Sequence, residues 1–139
     1  MSNWFGMALV LAGFAVAPPN LIARQAPSPG APVVEIRSYN LRPGTRERFH
    51  QLFEREALPL LRKWKVDVVA YGPSPHDETS YYLMRSYASL QALQESEDAF
   101  YGSAEWRNGP REAILACIEN YATIVVPANE HTLLGLRQR

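Results

Sequence analysis

The sequence predicts an α+β fold, ferredoxin-like, in the order β-α-β-β-α-β. Two observations carry that prediction. Between residues 33 and 127 the apolar pattern switches between strand-like alternation and helical recurrence, with turn residues at the switches. The two helical regions are separated by a pair of strands. Two helices cover one face of a four-stranded sheet, so the other face is left to water or to a second sheet.

The first strand is VVEIRSYNL at 33–41, rich in β-branched and aromatic residues. Pro43-Gly44 make a turn, and Thr45 stands where an N-cap belongs for TRERFHQLFEREALPLLRKW. In that segment Phe49, Leu52, Phe53, Ala57, Leu60, Leu61 and Trp64 recur as an amphipathic stripe. Pro59 lies inside it, where its ring meets the carbonyl of Arg55, and predicts a kink rather than a stop. VDVVAYG (66–72) and ETSYYLMRSY (78–87) read as a hairpin closed by PSPHD. A second helical region starts near Ser89, breaks at Asn108-Gly109-Pro110 and resumes in REAILACI, with Pro110 suited to a helix first turn. IENYATIVVP (118–127) is the last strand. In the tail, 129–139, Leu133, Leu134 and Leu136 are available to dock.

Alternation along the first strand sets Val34, Ile36 and Ser38 against Glu35, Arg37, Tyr39 and Leu41. The second set is expected on the face that the helices leave uncovered. Tyr81, Arg85 and Tyr87 on the third strand, with Glu119 and Tyr121 on the last, extend it. A face of tyrosines with a few opposed charges suits a sheet that packs on another sheet.

The chain of 139 residues has room for one domain, at 32–128, and its 47% hydrophobic content supports a core. Lys+Arg and Asp+Glu both number 14, so there is no basic surface to argue for nucleic acid. A single cysteine, Cys117, excludes an internal disulfide and a cysteine-based zinc site, and its apolar surroundings suggest a buried thiol. Residues 1–31 differ in kind: the apolar run 4–17 precedes a Pro/Ala-rich linker. That run is short for a membrane span and fits a signal h-region, with Ala15-Val16-Ala17 as an A-x-A site. Export to the periplasm or outside the cell is the expectation. The alternatives are an uncleaved anchor, or a cytoplasmic protein with a mis-assigned start.

Four motifs then point to a family. Glu35-Ile36-Arg37-Ser38-Tyr39-Asn40-Leu41-Arg42-Pro43-Gly44 resembles the E-x-R-x-Y-x-L-x-P-G opening of NIPSNAP domains. Leu58-Pro59-Leu60-Leu61, Met84-Arg85-Ser86-Tyr87 and Glu105-Trp106 match in order, with Met84 where the family pattern carries Trp. The resemblance implies a dimeric α+β barrel in which two protomers lay their sheets face to face, with Glu35, Arg37 and Tyr39 pointing inside. Animal members recruit other proteins in mitochondrial signalling. Relatives sharing the barrel include cofactor-free monooxygenases, haem-degrading enzymes and isomerases, but fold likeness is not a site.

Several residues are candidates for chemistry. At 100° per residue Glu56 falls within the apolar stripe, where a carboxylate is either an acid with a proton to exchange or is satisfied by Ser38, Tyr82 or Ser86. A kink at Pro59 would instead turn it to the edge. His50 with Glu54 one turn on offers two corners of a metal site without a third, or a histidine held by its neighbour. Arg37 and Arg85 could grip a ligand oxygen as a pair, or form ion pairs with Glu35 or Glu119. Tyr39 shares their face. Trp64, Tyr71, Trp106 and Tyr81-Tyr82 could wall an aromatic pocket, or be core. No nucleotide-binding, nucleophile-elbow or metal-spaced motif is present, and neither cofactor nor metal is expected.

Two functions remain. One is a homodimeric domain that binds a small hydrophobic or aromatic ligand, or a protein partner. The other is a cofactor-independent monooxygenase or isomerase for an aromatic or polyketide-like substrate, with Glu56 or His50 as acid or base and Arg37 or Arg85 on a substrate oxygen.

Overall fold

The computed structural model describes residues 30–137, so the expectation for the apolar run 4–17 lies outside the described residues. Four strands form one antiparallel sheet: β1 (Val33–Leu41), β2 (Asp67–Pro73), β3 (Ser80–Tyr87) and β4 (Ile118–Pro127), in the order β2-β3-β1-β4. Between β1 and β2 run α1 (Arg46–Leu52), a π-helical turn (Phe53–Ala57) and α2 (Leu58–Lys63). Between β3 and β4 run α3 (Leu90–Gly102), α4 (Ala104–Asn108) and α5 (Arg111–Cys117). The α+β class and the β-α-β-β-α-β order are those the periodicity predicts.

The local chemistry explains the boundaries. Pro43 and Gly44 fill the central positions of a turn in which the Thr45 N–H reaches the Arg42 carbonyl at 3.1 Å; Gly44 has φ +77°, which a side chain would strain. Thr45 precedes α1 but does not cap it with its side chain. Its hydroxyl turns back to the Arg42 carbonyl at 2.7 Å. Ser89 and Ser103 do cap, accepting from the backbone N–H groups of Ala92 and Trp106. Ser103 thereby adds a break in the second helical region that the periodicity does not show. The tail is also more ordered than its pattern predicts: Asn129 caps α6 (Glu130–Leu136). Leu134 and Leu136 stay exposed there, so they do not dock.

The first helical region passes through Pro59 by widening. Leu58 N–H bonds to the Phe53 carbonyl, five residues back, and Pro59, which has no N–H to give, follows directly. This extra residue shifts the phase of the stripe. Phe49, Phe53, Ala57, Leu58 and Leu61 are buried, while Glu56 is exposed. The expectation that Glu56 faces the sheet is therefore corrected, and the π turn is the reason.

A second correction concerns the sheet. Val33, Tyr39, Leu41, Tyr81, Leu83 and Tyr87 belong to one buried cluster with Phe49, Phe53, Leu93, Phe100 and Trp106 of the helices. The face carrying Glu35, Arg37 and Tyr39 is thus the helix-covered face, not the free one. The free face carries Ile36 and Ser38 of β1, opposite Met84 and Tyr82 of β3 and Ile124 and Ala122 of β4. Charges are admitted beneath the helices because α3 supplies their partners, as described below. At one end of the free face α6 packs on β2, and Arg137 makes two hydrogen bonds to Asp67, at 2.8 and 2.6 Å.

The β2–β3 turn is organised by Asp77, whose carboxylate accepts from the N–H of Thr79 (2.8 Å), the N–H of Ser80 (2.6 Å) and the Ser80 hydroxyl (2.7 Å). These bonds hold its carboxyl down at about 2, from an ordinary 3.8. A depressed carboxyl stabilises the fold above its unfolded value and loses that contribution as pH falls through the folded one. Thermal unfolding of wild type should therefore soften below pH ~4 more than that of Asp77→Asn. Parallel pH profiles of the two proteins would contradict the assignment.

Candidate functional site

Beneath α3 lies a charged box. Glu35 and Arg85 face each other on β1 and β3 and are each 1% exposed. Arg85 Nε donates to Glu35 Oε2 at 2.7 Å, and Arg37 Nη2 donates to Glu35 Oε1 at 2.6 Å and to Glu97 Oε1 at 2.8 Å. Glu97 also receives Arg85 Nη2, so two carboxylates and two guanidiniums balance. The Tyr101 hydroxyl, one helical turn beyond Glu97, accepts from Arg37 Nη1 at 2.9 Å and from Arg85 Nη1 at 3.1 Å. Thr123 of β4 takes Arg37 Nε at 3.2 Å. Burial alone would lower both arginines, but the ring of phenols and carboxylates pushes each above its ordinary value. Both guanidiniums are permanently charged and rigidly held.

Arg37 and Tyr39 form one wall of a cleft of about 500 Å³. Tyr101 of α3 and Trp106 of α4, Ile114 and Leu115 of α5, and Ile118 and Tyr121 of β4 line the rest of it. Tyr121 lies over the Arg37 guanidinium, 5.2 Å from its ring centre, and its ring sits 6.1 Å from that of Tyr39. Burial pushes the Tyr39 phenol up, so it stays protonated. Behind Tyr101 and Trp106 a narrow void of about 20 Å³ continues into the core toward Phe49, Phe53 and Phe100.

The sequence-predicted residues are divided by this geometry. Arg37 and Tyr39 line the cleft, and Trp106 joins them. Arg85 supports the wall from beneath without lining it. Trp64 is at the surface, where its indole N–H donates to Glu105 at 2.9 Å in a shallow depression with Lys63 and Lys65. Tyr82 is on the free face beside Gly72. Glu119 is exposed, and Glu97 takes the part proposed for it. Glu97, Tyr101, Arg107 and Arg111 went unnoticed as site residues. Glu97 and Tyr101 stand four apart on a helix that must cover two strand arginines, and that spacing is the signal for them.

His50 lies on the other side of the core. Its Nδ1 is 2.8 Å from the hydroxyl of Tyr81, which is 0% exposed, and its Nε2 is 3.5 Å from Glu54, which accepts from the Tyr71 hydroxyl at 3.2 Å. His50 thus satisfies a buried phenol, and it does not line the cleft. Among the described residues no group of three or more His, Cys, Asp and Glu could hold a metal. His50→Ala should cost about 1–3 kcal/mol, because it strands the Tyr81 hydroxyl. Tyr81→Phe in the same background should recover part of that loss, and a chemical-denaturation double-mutant cycle measures it. Additive losses would show that the two groups do not interact.

Comparison with known families decides the affiliation: the NIPSNAP family model matches residues 34–129. The chain belongs to the NIPSNAP family. A NIPSNAP family protein of Agrobacterium tumefaciens superposes with a TM-score of 0.67 at 18% identity, covering 75% of this chain and 91% of that one. A NIPSNAP-like domain protein of Burkholderia xenovorans does so at 0.67 and 20%, covering 73% and 88%. A Caulobacter crescentus protein assigned to antibiotic biosynthesis monooxygenases aligns at 0.55 and 17%, covering 73% and 93%. No curated protein matches the chain. At these identities the structural likenesses speak to the NIPSNAP fold alone.

Proposed function

We propose that this NIPSNAP domain binds a small molecule with a flat apolar or aromatic body in the cleft between its sheet and α3–α5, and that it does so as a homodimer. The observation that carries the reading is an open cleft of about 500 Å³ walled by Tyr39, Tyr101, Trp106 and Tyr121 beside a fixed Arg37. Small-molecule sites typically occupy roughly 300–1,000 Å³ and combine apolar walls with a few placed polar groups. Of those groups Arg37 supplies a fixed positive charge and Tyr101 a hydroxyl proton. A guanidinium carries five N–H donors; Glu35, Glu97, Tyr101 and Thr123 occupy four on Arg37, and the Tyr39 phenol also hydrogen-bonds to it. The Tyr101 hydroxyl accepts from both arginines, so its own proton is available to a ligand oxygen. The dimer rests on the free sheet face, where Ile124 is 58% exposed beside Ile36 and Met84.

A cofactor-independent monooxygenase or isomerase of the same fold is the second reading, favoured by the likeness to the Caulobacter crescentus protein and by the held Tyr101 phenol. Glu56 and His50 do not line the cleft, so acid–base work there would fall to Tyr101.

The test is calorimetric titration of N-phenyl-naphthylamine, a neutral aromatic probe, into wild type and Leu115→Trp. Leu115 lines the cleft and is 42% exposed, so the larger ring fits without disturbing the core. Wild type should bind, and the blocked variant should bind at least roughly tenfold more weakly, the scale of a lost hydrophobic contact of ~1.4 kcal/mol. Equal binding by both places the probe elsewhere and overturns the reading.

A further inference from the structure

We infer that the cleft selects an aromatic acid: a flat apolar body carrying one carboxylate, gripped by Arg107 and Arg111. This rests on the ligand-binding reading above and names its substrate class. Arg107 in α4 and Arg111 in α5 both line the cleft, one on each side of the helix break. Neither makes an ion pair or side-chain hydrogen bond among the described residues. Among the described residues Glu97 is the lone carboxylate of the lining, and it is already held by Arg37 and Arg85. Glu105, the nearest acid on α4, is committed to Lys63 and Trp64. Since the box of Glu35, Glu97, Arg37 and Arg85 balances, the charge left uncompensated at the cleft is that of the two mouth arginines.

The backbone that brings them together is sterically specified. At Gly109, between α4 and α5, an added Cβ would stand 2.4 Å from the Glu105 carbonyl oxygen. No side chain fits there without moving the α4 backbone. The tight link places both arginines on the lining of one cleft, two exposed cations available to a carboxylate. The aromatic walls of Tyr101, Trp106 and Tyr121 then receive the body, and the carboxylate end is met at the solvent side, where desolvation is least costly.

Two probes with a common naphthyl core separate charge from shape: neutral N-phenyl-naphthylamine and anionic anilinonaphthalene sulfonate, its sulfonate standing in for the carboxylate. Each is titrated into wild type, Arg107→Gln/Arg111→Gln and Leu115→Trp. Both arginines are exposed, so the double variant keeps its fold, checked by circular dichroism. The anionic probe should lose roughly tenfold to a hundredfold in affinity in the double variant, the size of one or two charge-assisted hydrogen bonds, with the neutral probe unchanged. An anionic probe bound equally by wild type and the double variant overturns the inference and leaves the cleft reading standing, and so do equal losses for both probes. If wild type binds neither probe, or if Leu115→Trp binds both as wild type does, the cleft reading falls and this inference with it.

Discussion

Glu35→Ala is expected to be the most damaging single change in the sheet. The carboxylate is 1% exposed and accepts from both strand arginines, so its removal leaves Arg85, equally buried, with Glu97 alone. Breaking a buried ion pair by deleting one partner costs about 3–5 kcal/mol, because an uncompensated charge is left in the interior. For a domain of about 100 residues that lowers Tm by more than ~12 °C, and equilibrium denaturation should report it with little change in slope. Glu35→Gln should fall between, since its amide oxygen still accepts while the charge is lost. A loss under ~1 kcal/mol for Glu35→Ala would mean that Glu97 alone balances both arginines.

Phe100→Ala should come second, at about 3–5 kcal/mol, the usual range for emptying a buried phenylalanine site. Phe100 is 2% exposed and lies at the centre of the helical aromatics: 5.0 Å from Tyr101, 5.2 Å from Trp106 and 6.5 Å from Trp64 between ring centres. It also borders the narrow void behind the cleft, so the emptied volume adds to a gap of about 20 Å³ that already exists. Two of these three rings, Tyr101 and Trp106, sit on helices that meet at Ser103, and they have little room to collapse. Phe100→Leu retains most of the volume and should cost less than about 1.5 kcal/mol. Similar losses for the two variants, measured by denaturant titration, would contradict a packing role.

How much of this was legible in the sequence depends on what each signal encodes. Strand and helix periods mark the elements, since alternation and helical recurrence follow directly from backbone geometry. The chain order of strands and helices followed from those periods, and the split βαβ motif then set β1 beside β3. Alternation on β1 divides Glu35, Arg37 and Tyr39 from Val34, Ile36 and Ser38, but it does not say which set the helices cover. Both sets carry apolar bulk, and opposed charges look like a wet face until the partners on another element are counted. Glu97 and Tyr101 are those partners, sixty residues and more from β1 in the chain, at a range where local pattern is silent.

Glu56 failed for a different reason. A constant 100° per residue assumes an unbroken α-helix, and the π turn ahead of Pro59 adds a residue. The proline itself was the visible warning, although it does not state in which sense the phase will slip. His50 shows the limit of pairing by neighbourhood. Glu54 at the next turn is there, but the partner that matters is Tyr81 on a strand that packs beneath. The mouth arginines escaped notice because arginines on a short helix read as solvated surface. Only the fold around Gly109 brings them to one opening.

The most direct test of the cleft as the working site is native mass spectrometry of the chain purified gently from its own host, wild type beside Leu115→Trp. The expected result is a dimer of each, with an additional small-molecule mass on wild type that is absent from the blocked variant. An additional mass retained by Leu115→Trp, or a bare wild-type chain of either stoichiometry, would contradict the account.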